Sequence, residues 1–201
     1  MTKIAVLCSG SGTNLQALID AWHDGMFEDG AIALVIASRP QIFALERASD
    51  NGIPAVIVNR RDYHTSQEYD DAMLTELKRH HIDLVVTAGF LSILGPKVLA
   101  AYEERIINVH PSLIPSFCGK GFYGLHVHKA ALDYGVKVTG ATVHIVNHIV
   151  DGGRILLQKA VEVLPDDTPE ILQKRVMEQA EWEILPKAVA IFCGDAAKNR
   201  L

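Results

Sequence analysis

The chain has 201 residues, 49% of them hydrophobic and 21% charged, with a formal net charge of -5 at pH 7. That apolar content excludes intrinsic disorder, the length suits one domain, and the acidic balance excludes a basic nucleic-acid-binding domain. Three cysteines, Cys8, Cys118 and Cys193, are too few and too scattered for a secreted disulfide framework. The first residues run straight into a predicted strand, without a signal-peptide pattern, and no stretch is a candidate membrane span; the expected location is the cytoplasm.

Ile4–Leu7 reads as a buried strand and Leu15–Trp22 as the helix that follows it. Strands at Ala31–Ala37, Ala55–Asn59 and Asp83–Ala88 alternate with helices at Ile42–Asn51, Gln67–Arg79 and Lys97–Glu103. This alternation implies βαβ units and a parallel sheet, and the near-continuous apolar runs fit strands covered on both faces. A strand at Ile106–His110 then leads into a Gly-rich loop, Pro111–Gly124. A helix at His126–Tyr134 and strands at Val138–Val146 and Ile155–Val163 follow. A long helix begins near Pro169, with Thr168 as its N-cap, and Pro186 is expected to kink or split it. The expected fold is a single α/β domain: a mostly parallel, Rossmann-like twisted sheet flanked by helices, with an antiparallel element in the C-terminal half.

Cys8-Ser9-Gly10-Ser11-Gly12-Thr13-Asn14 joins the first strand to the first helix, the place where α/β folds bind phosphate through backbone N–H groups. The spacing is not that of a P-loop. Leu15 stands where a dinucleotide fingerprint needs Gly or Ala, and no acidic residue ends the second strand. Two readings stand: a monophosphate site, or a tight strand–helix turn capped by Ser or Thr.

Asn108-Val109-His110-Pro111-Ser112 ends a strand, and strand C-termini carry the sites of open α/β sheets. Alternation puts Asn108 and His110 on one face. The amide can hold or polarise a carbonyl, and the imidazole can move a proton near neutral pH. A lone strand-end histidine is more commonly structural; the pairing with Asn108 favours function. Asp151-Gly152-Gly153 reads as a turn, or as a carboxylate held beside His110 that favours the imidazolium. Nine histidines invite a metal, but His126 and His128 splay apart at i,i+2 and no zinc-ligand spacing is present, so none is expected.

Together with Leu45-Glu46-Arg47-Ala48, Ala88-Gly89-Phe90 and Thr142-Val143-His144, these segments resemble the phosphoribosylglycinamide formyltransferases, folate-dependent enzymes of purine biosynthesis. The resemblance runs from Ile4 to Leu185; Asn108–Leu113 alone marks only the wider formyltransferases. It implies transfer of a formyl group from 10-formyltetrahydrofolate to the amine of glycinamide ribonucleotide, with no metal and no covalent enzyme intermediate. Gly12, Thr13 and Asn14 would hold the nucleotide phosphate. Asn108 and His110 would stabilise the tetrahedral intermediate, His110 would shuttle the proton, and Asp151 would orient His110 and favour its protonated form. Glu181 would contact the nucleotide; its other reading is an exposed helix charge.

For the folate, the resemblance implies Leu91, Ser92, Ile93 and Leu94, with Asn108, Ile149, Val150 and Asp151. Ser66 and Ser92 stand where several relatives carry arginine, and Lys120 or a nearby lysine is the expected replacement; the other reading of Lys120 is a surface loop. Residues 1–105 would form the phosphate-binding half and 106–201 the catalytic and folate-binding half. The expected partners are the two small molecules, without nucleic acid or membrane, in a monomer or homodimer. A formyltetrahydrofolate deformylase adds a regulatory domain ahead of the catalytic part, and methionyl-tRNA formyltransferase adds a basic barrel after it; neither is expected here. The Asn108, His110 and Asp151 set speaks against a non-catalytic binding module.

Overall fold

Side chains alternate faces along a strand, and β1 (Thr2–Cys8) shows what that does here. Ile4, Val6 and Cys8 enter one apolar layer, and Ala5 and Leu7 enter a second on the opposite face. A strand buried on both sides therefore needs the unbroken apolar run seen in the sequence. The computed structural model describes residues 1–198.

The other strands are β2 (Gly30–Ala37), β3 (Ala55–Ile57), β4 (Leu84–Thr87), β5 (Ile106–His110), β6 (Val138–Ile145) and β7 (Ile155–Glu162). The helices are α1 (Thr13–His23), α2 (Phe43–Asp50), α3 (Ser66–Arg79), α4 (Pro96–Ala101), α5 (Leu125–Tyr134), α6 (Pro169–Val176) and α7 (Trp182–Lys198). The strands form one sheet in the order β3-β2-β1-β4-β5-β6-β7. The first five in that order are parallel to one another, and β6 runs antiparallel to both β5 and β7. The winding direction reverses between β1 and β4, the crevice where sheets of this kind bind ligands. Across that crevice the Ser9 amide donates to the Gly89 carbonyl at 3.1 Å.

Helices α1, α2, α6 and α7 contribute to the layer that holds Ile4 and Val6, while α3 and α4 contribute to the layer that holds Ala5 and Leu7. On β5, Ile107 and Val109 join the first layer; on β6, Ala141, Val143 and Ile145 do the same. The opposite parity on these two strands carries Asn108, His110, Thr142 and His144. Pairing sets Asn108 opposite His144 and His110 opposite Thr142. A polar face thus replaces the aliphatic one where the parallel sheet gives way to the antiparallel strands.

Thr168 caps α6, its hydroxyl accepting from the Ile171 amide at 3.3 Å. The expected break at Pro186 lies elsewhere. Helix α6 passes into a π-turn at Met177–Glu181, and α7 then runs through Pro186. Proline cannot donate to the carbonyl four residues earlier, here Trp182, the first residue after the π-turn. Among the described residues no helix is long and apolar enough to cross a membrane.

Candidate active site

The amide of Asn108 is held from two sides. The Thr87 hydroxyl, at the end of β4, donates to Asn108 Oδ1 at 2.7 Å. Asn108 Nδ2 lies 3.0 Å from His144 Nε2. His144 Nδ1 faces the Ile145 carbonyl at 2.9 Å; a carbonyl only accepts, so that nitrogen carries the proton and Nε2 accepts from Asn108. One Asn108 N–H is therefore committed to His144, and the second remains for a ligand. Thr87 was not singled out from the sequence, although a hydroxyl closing the apolar run Leu84–Thr87 was a usable signal.

His110 is buried at the end of β5, 4% exposed. Its Nε2 donates to the Phe117 carbonyl at 2.9 Å, and Nδ1 faces Asp151 Oδ2 at 3.6 Å. The second distance is longer than a formed hydrogen bond. A doubly protonated ring would serve both acceptors. Asp151 also faces His144 Nε2, at 3.7 Å through Oδ1, and accepts the Gly119 amide at 2.8 Å. Burial pushes its carboxyl up, but the neighbouring His144 and His110 rings and the Gly119 amide outweigh it and hold the group below its ordinary value. The carboxylate thus ties the 111–124 loop to the β6–β7 turn through Gly119 and stands beside both histidines.

That turn requires its glycines. A Cβ on Gly153 would stand 1.7 Å from the Ile145 carbonyl oxygen, and one on Gly152 would stand 2.4 Å from Ile149 Cγ2. His128, in the first turns of α5, is fully enclosed, and burial followed by the charge of His110 lowers its pKa to about 4. It is neutral at pH 7 and adds no competing positive charge.

A second cluster lies at the start of α1. Gly12 is the N-cap with φ 72°, and a Cβ there would stand 2.8 Å from Ala44 Cβ. No side chain caps α1 and no acid occupies its first turn, which leaves the positive end of the helix open to an anion. Arg47 Nε donates to the Ser11 carbonyl at 2.9 Å and brings a cation to the same loop. Asn14 is buried, and its Nδ2 donates to Glu181 Oε2 at 2.6 Å. Glu181 closes the π-turn and is only 6% exposed, which overturns the reading of an exposed helix charge. Burial pushes its carboxyl up to about 7 against the lowering effect of the Asn14 bond.

Ser66, Leu91, Ser92, Ile93 and Leu94 line a cavity of about 900 Å³. Exposed Leu91 and Ile93 give it an apolar lip. Neither Asn108 nor Asp151 lines it; β4 connects the two places, running from Thr87 into the Gly89–Leu94 segment. Ile149 and Val150 are exposed in the turn that carries Asp151 and do not line this cavity. Lys120 is exposed on the 111–124 loop and lines neither this cavity nor the smaller one beside it. Among the described residues no group of His, Cys, Asp and Glu side chains is arranged to hold a metal ion.

The formyl transferase family model matches residues 2–189. Phosphoribosylglycinamide formyltransferase of Haemophilus influenzae is 40% identical over 192 residues, covering 96% of this chain and 87% of that protein. The trifunctional purine biosynthetic protein adenosine-3 of Drosophila melanogaster is 39% identical over 198 residues, 97% of this chain, but the chain spans only 14% of that much longer protein. The crystal structure of glycinamide ribonucleotide transformylase 1 from Symbiobacterium toebii superposes with a TM-score of 0.91 at 40% identity, covering 97% of this chain and 89% of that one. With a matched region that takes in every strand of the sheet and both residue clusters, this chain belongs to the formyl transferase family.

Proposed function

We propose that this chain transfers the formyl group of 10-formyltetrahydrofolate to the amine of glycinamide ribonucleotide in purine biosynthesis. The observation that carries the reading is the contact chain Thr87–Asn108–His144–Asp151–His110 on the one polar face of the sheet. Likeness to phosphoribosylglycinamide formyltransferases over 96–97% of this chain supports it.

Gly12, Thr13 and Asn14 hold the nucleotide phosphate at the positive end of α1, and Glu181 receives a hydrogen-bond donor of the same substrate. The amine nitrogen attacks the formyl carbon. The second N–H of Asn108 and the Nε2–H of His110 stabilise the oxygen as it becomes an anion. His110 relays the proton released by the amine to the departing N10, so the carbon–N10 bond breaks with no net proton change. Asp151 balances the imidazolium. Phe117 keeps the Nε2 proton aimed until the substrate takes over as acceptor. Much of the acceleration comes from holding two substrates in register.

The folate sits along Leu91–Leu94 and against Ile149 and Val150, with its reactive end at Asn108 and Asp151. Residues 1–105 form the phosphate-binding half and residues from 106 the catalytic and folate-binding half; the last residues of that span, 199–201, lie outside the described residues. The partners are these two small molecules, with no nucleic acid or membrane, in a cytoplasmic monomer or homodimer. The test is to mix the protein with both compounds and follow tetrahydrofolate. It should appear only when the nucleotide is present. Release without nucleotide marks a hydrolase, and no release in either case overturns the proposal.

A further inference from the structure

Residues 111–124 belong to no helix or strand, yet they hold both members of the His110–Asp151 pair. The Phe117 carbonyl accepts from His110 Nε2 at 2.9 Å, and the Gly119 amide donates to Asp151 Oδ2 at 2.8 Å. An acceptor for the imidazole and a donor for the carboxylate thus come from the two sides of Cys118. The aim of both groups follows from where the backbone at 117–119 is held.

That backbone is not in a relaxed conformation. Phe117 has φ 49°, in the left-handed region that a residue with a Cβ seldom enters. Polar bonds brace the side before it. Ser112 Oγ donates to the Ser116 carbonyl at 2.6 Å, and the Ser116 amide donates to the Leu113 carbonyl at 3.0 Å. The hold on Phe117 itself is aromatic. Its ring meets Phe122 edge-on with centroids 6.4 Å apart, and Tyr134 edge-on with centroids 5.9 Å apart. Phe122 belongs to the same loop and moves with it. Tyr134 does not. It is the last residue of α5, a helix anchored by the buried side chains of Val127 and Ala131 and stopped at once by Gly135.

Tyr134 is 81% exposed, so its ring fills no part of the core. It lines neither of the two cavities beside Ser92. An edge-to-face aromatic pair is worth a free energy similar to the cost of a left-handed residue, so this one contact weighs in whether Phe117 keeps its place. A misplacement of about 1 Å in a reacting group costs up to roughly 10²-fold in rate, so a looser Phe117 reads in kcat.

We infer that Tyr134 is a positioning residue for formyl transfer: through the ring of Phe117 it fixes the loop backbone that aims His110 and Asp151. The inference rests on the formyl-transfer reading above.

The test compares Tyr134→Ala and Tyr134→Phe with the wild type, on the full chain, by steady-state kinetics and by the rate at which iodoacetamide alkylates Cys118. That thiol reports on the loop without any turnover. Cys118 is half-buried with its Sγ donating to the Pro115 carbonyl at 3.3 Å, whereas Cys8 and Cys193 are fully buried. In Tyr134→Ala, kcat should fall about fivefold with the nucleotide KM within about twofold, and Cys118 should be alkylated about fivefold faster. Tyr134→Phe keeps the ring edge and should match the wild type in all three. Unchanged kcat or unchanged alkylation in Tyr134→Ala overturns the inference. So does a Tyr134→Phe as slow as Tyr134→Ala, which would place the effect in the hydroxyl. A nucleotide KM that rises in step with the loss of kcat also overturns it, since Tyr134 would then be a substrate contact. Any of these results with an active wild type leaves the formyl-transfer reading standing. A wild type that transfers no formyl group overturns that reading, and this inference with it.

Discussion

Glu181→Gln keeps the size of the side chain and an oxygen to accept from Asn14 Nδ2, but removes the ionisation. In the folded wild type the carboxyl is raised from 4.5 to about 7, chiefly by burial. The folded protein therefore holds a proton that the unfolded chain releases. The stability this confers is fully present below pH 4.5 and is lost as pH rises through about 7. A shift of that size corresponds to about 3 kcal/mol. Urea unfolding of both proteins at pH 5, 6, 7 and 8 measures it, because every other titrating group is common to the two and cancels in the difference. Relative to the wild type, the variant should gain stability between pH 5 and about pH 7, by roughly 2 kcal/mol, and level off by pH 8. Parallel curves would show that Glu181 titrates normally, and the argument from burial would then be wrong.

Three further substitutions probe the other parts of the site. Thr87→Val preserves shape but deletes the donor to Asn108 Oδ1; kcat should fall by about 10²-fold with both KM values within about twofold, and an unchanged kcat would refute the orienting role. Asp151→Asn should lower kcat by roughly 10²-fold. It should also flatten acid unfolding, because a carboxyl held below its ordinary value of 3.8 adds stability that is present above that pH and lost as pH falls; coincident acid curves would count against it. Gly12→Ala forces a side chain into the left-handed region and against Ala44, so thermal unfolding should show a loss of roughly 1–3 kcal/mol, and an unaltered Tm would contradict the clash.

Much of the fold was legible because its signals are local. Apolar runs bounded by turns gave each strand within a few residues, and the Gly12 turn and the Thr168 cap announce helix starts. Asn108 and His110 share a face simply because strand residues alternate. What the sequence hid is long-range. Thr87 and His144 hold Asn108 from two other strands, and only the sheet order brings them together. Between a substrate contact and a surface charge the sequence could not decide for Glu181, because its burial depends on the π-turn and on Asn14, which is 167 residues away in sequence. The π-turn at Met177–Glu181 has no signal of its own in the sequence, and Pro186 lies inside a helix that runs on through it. The contact of Arg60 with Ser66 is hidden in the same way, because it depends on the chain reversing through a short 3-10 turn.

The proposed reaction is direct transfer between two bound substrates, with His110 relaying the proton. The measurement that tests it is a single turnover with 10-formyltetrahydrofolate carrying ¹³C in the formyl group, run on the wild type and on His110→Ala and read by mass spectrometry. The wild type should place the label in the N-formyl nucleotide, matched one for one by tetrahydrofolate, while His110→Ala should bind the nucleotide but transfer almost none of it. Label recovered as formate, or full transfer by His110→Ala, would contradict the account.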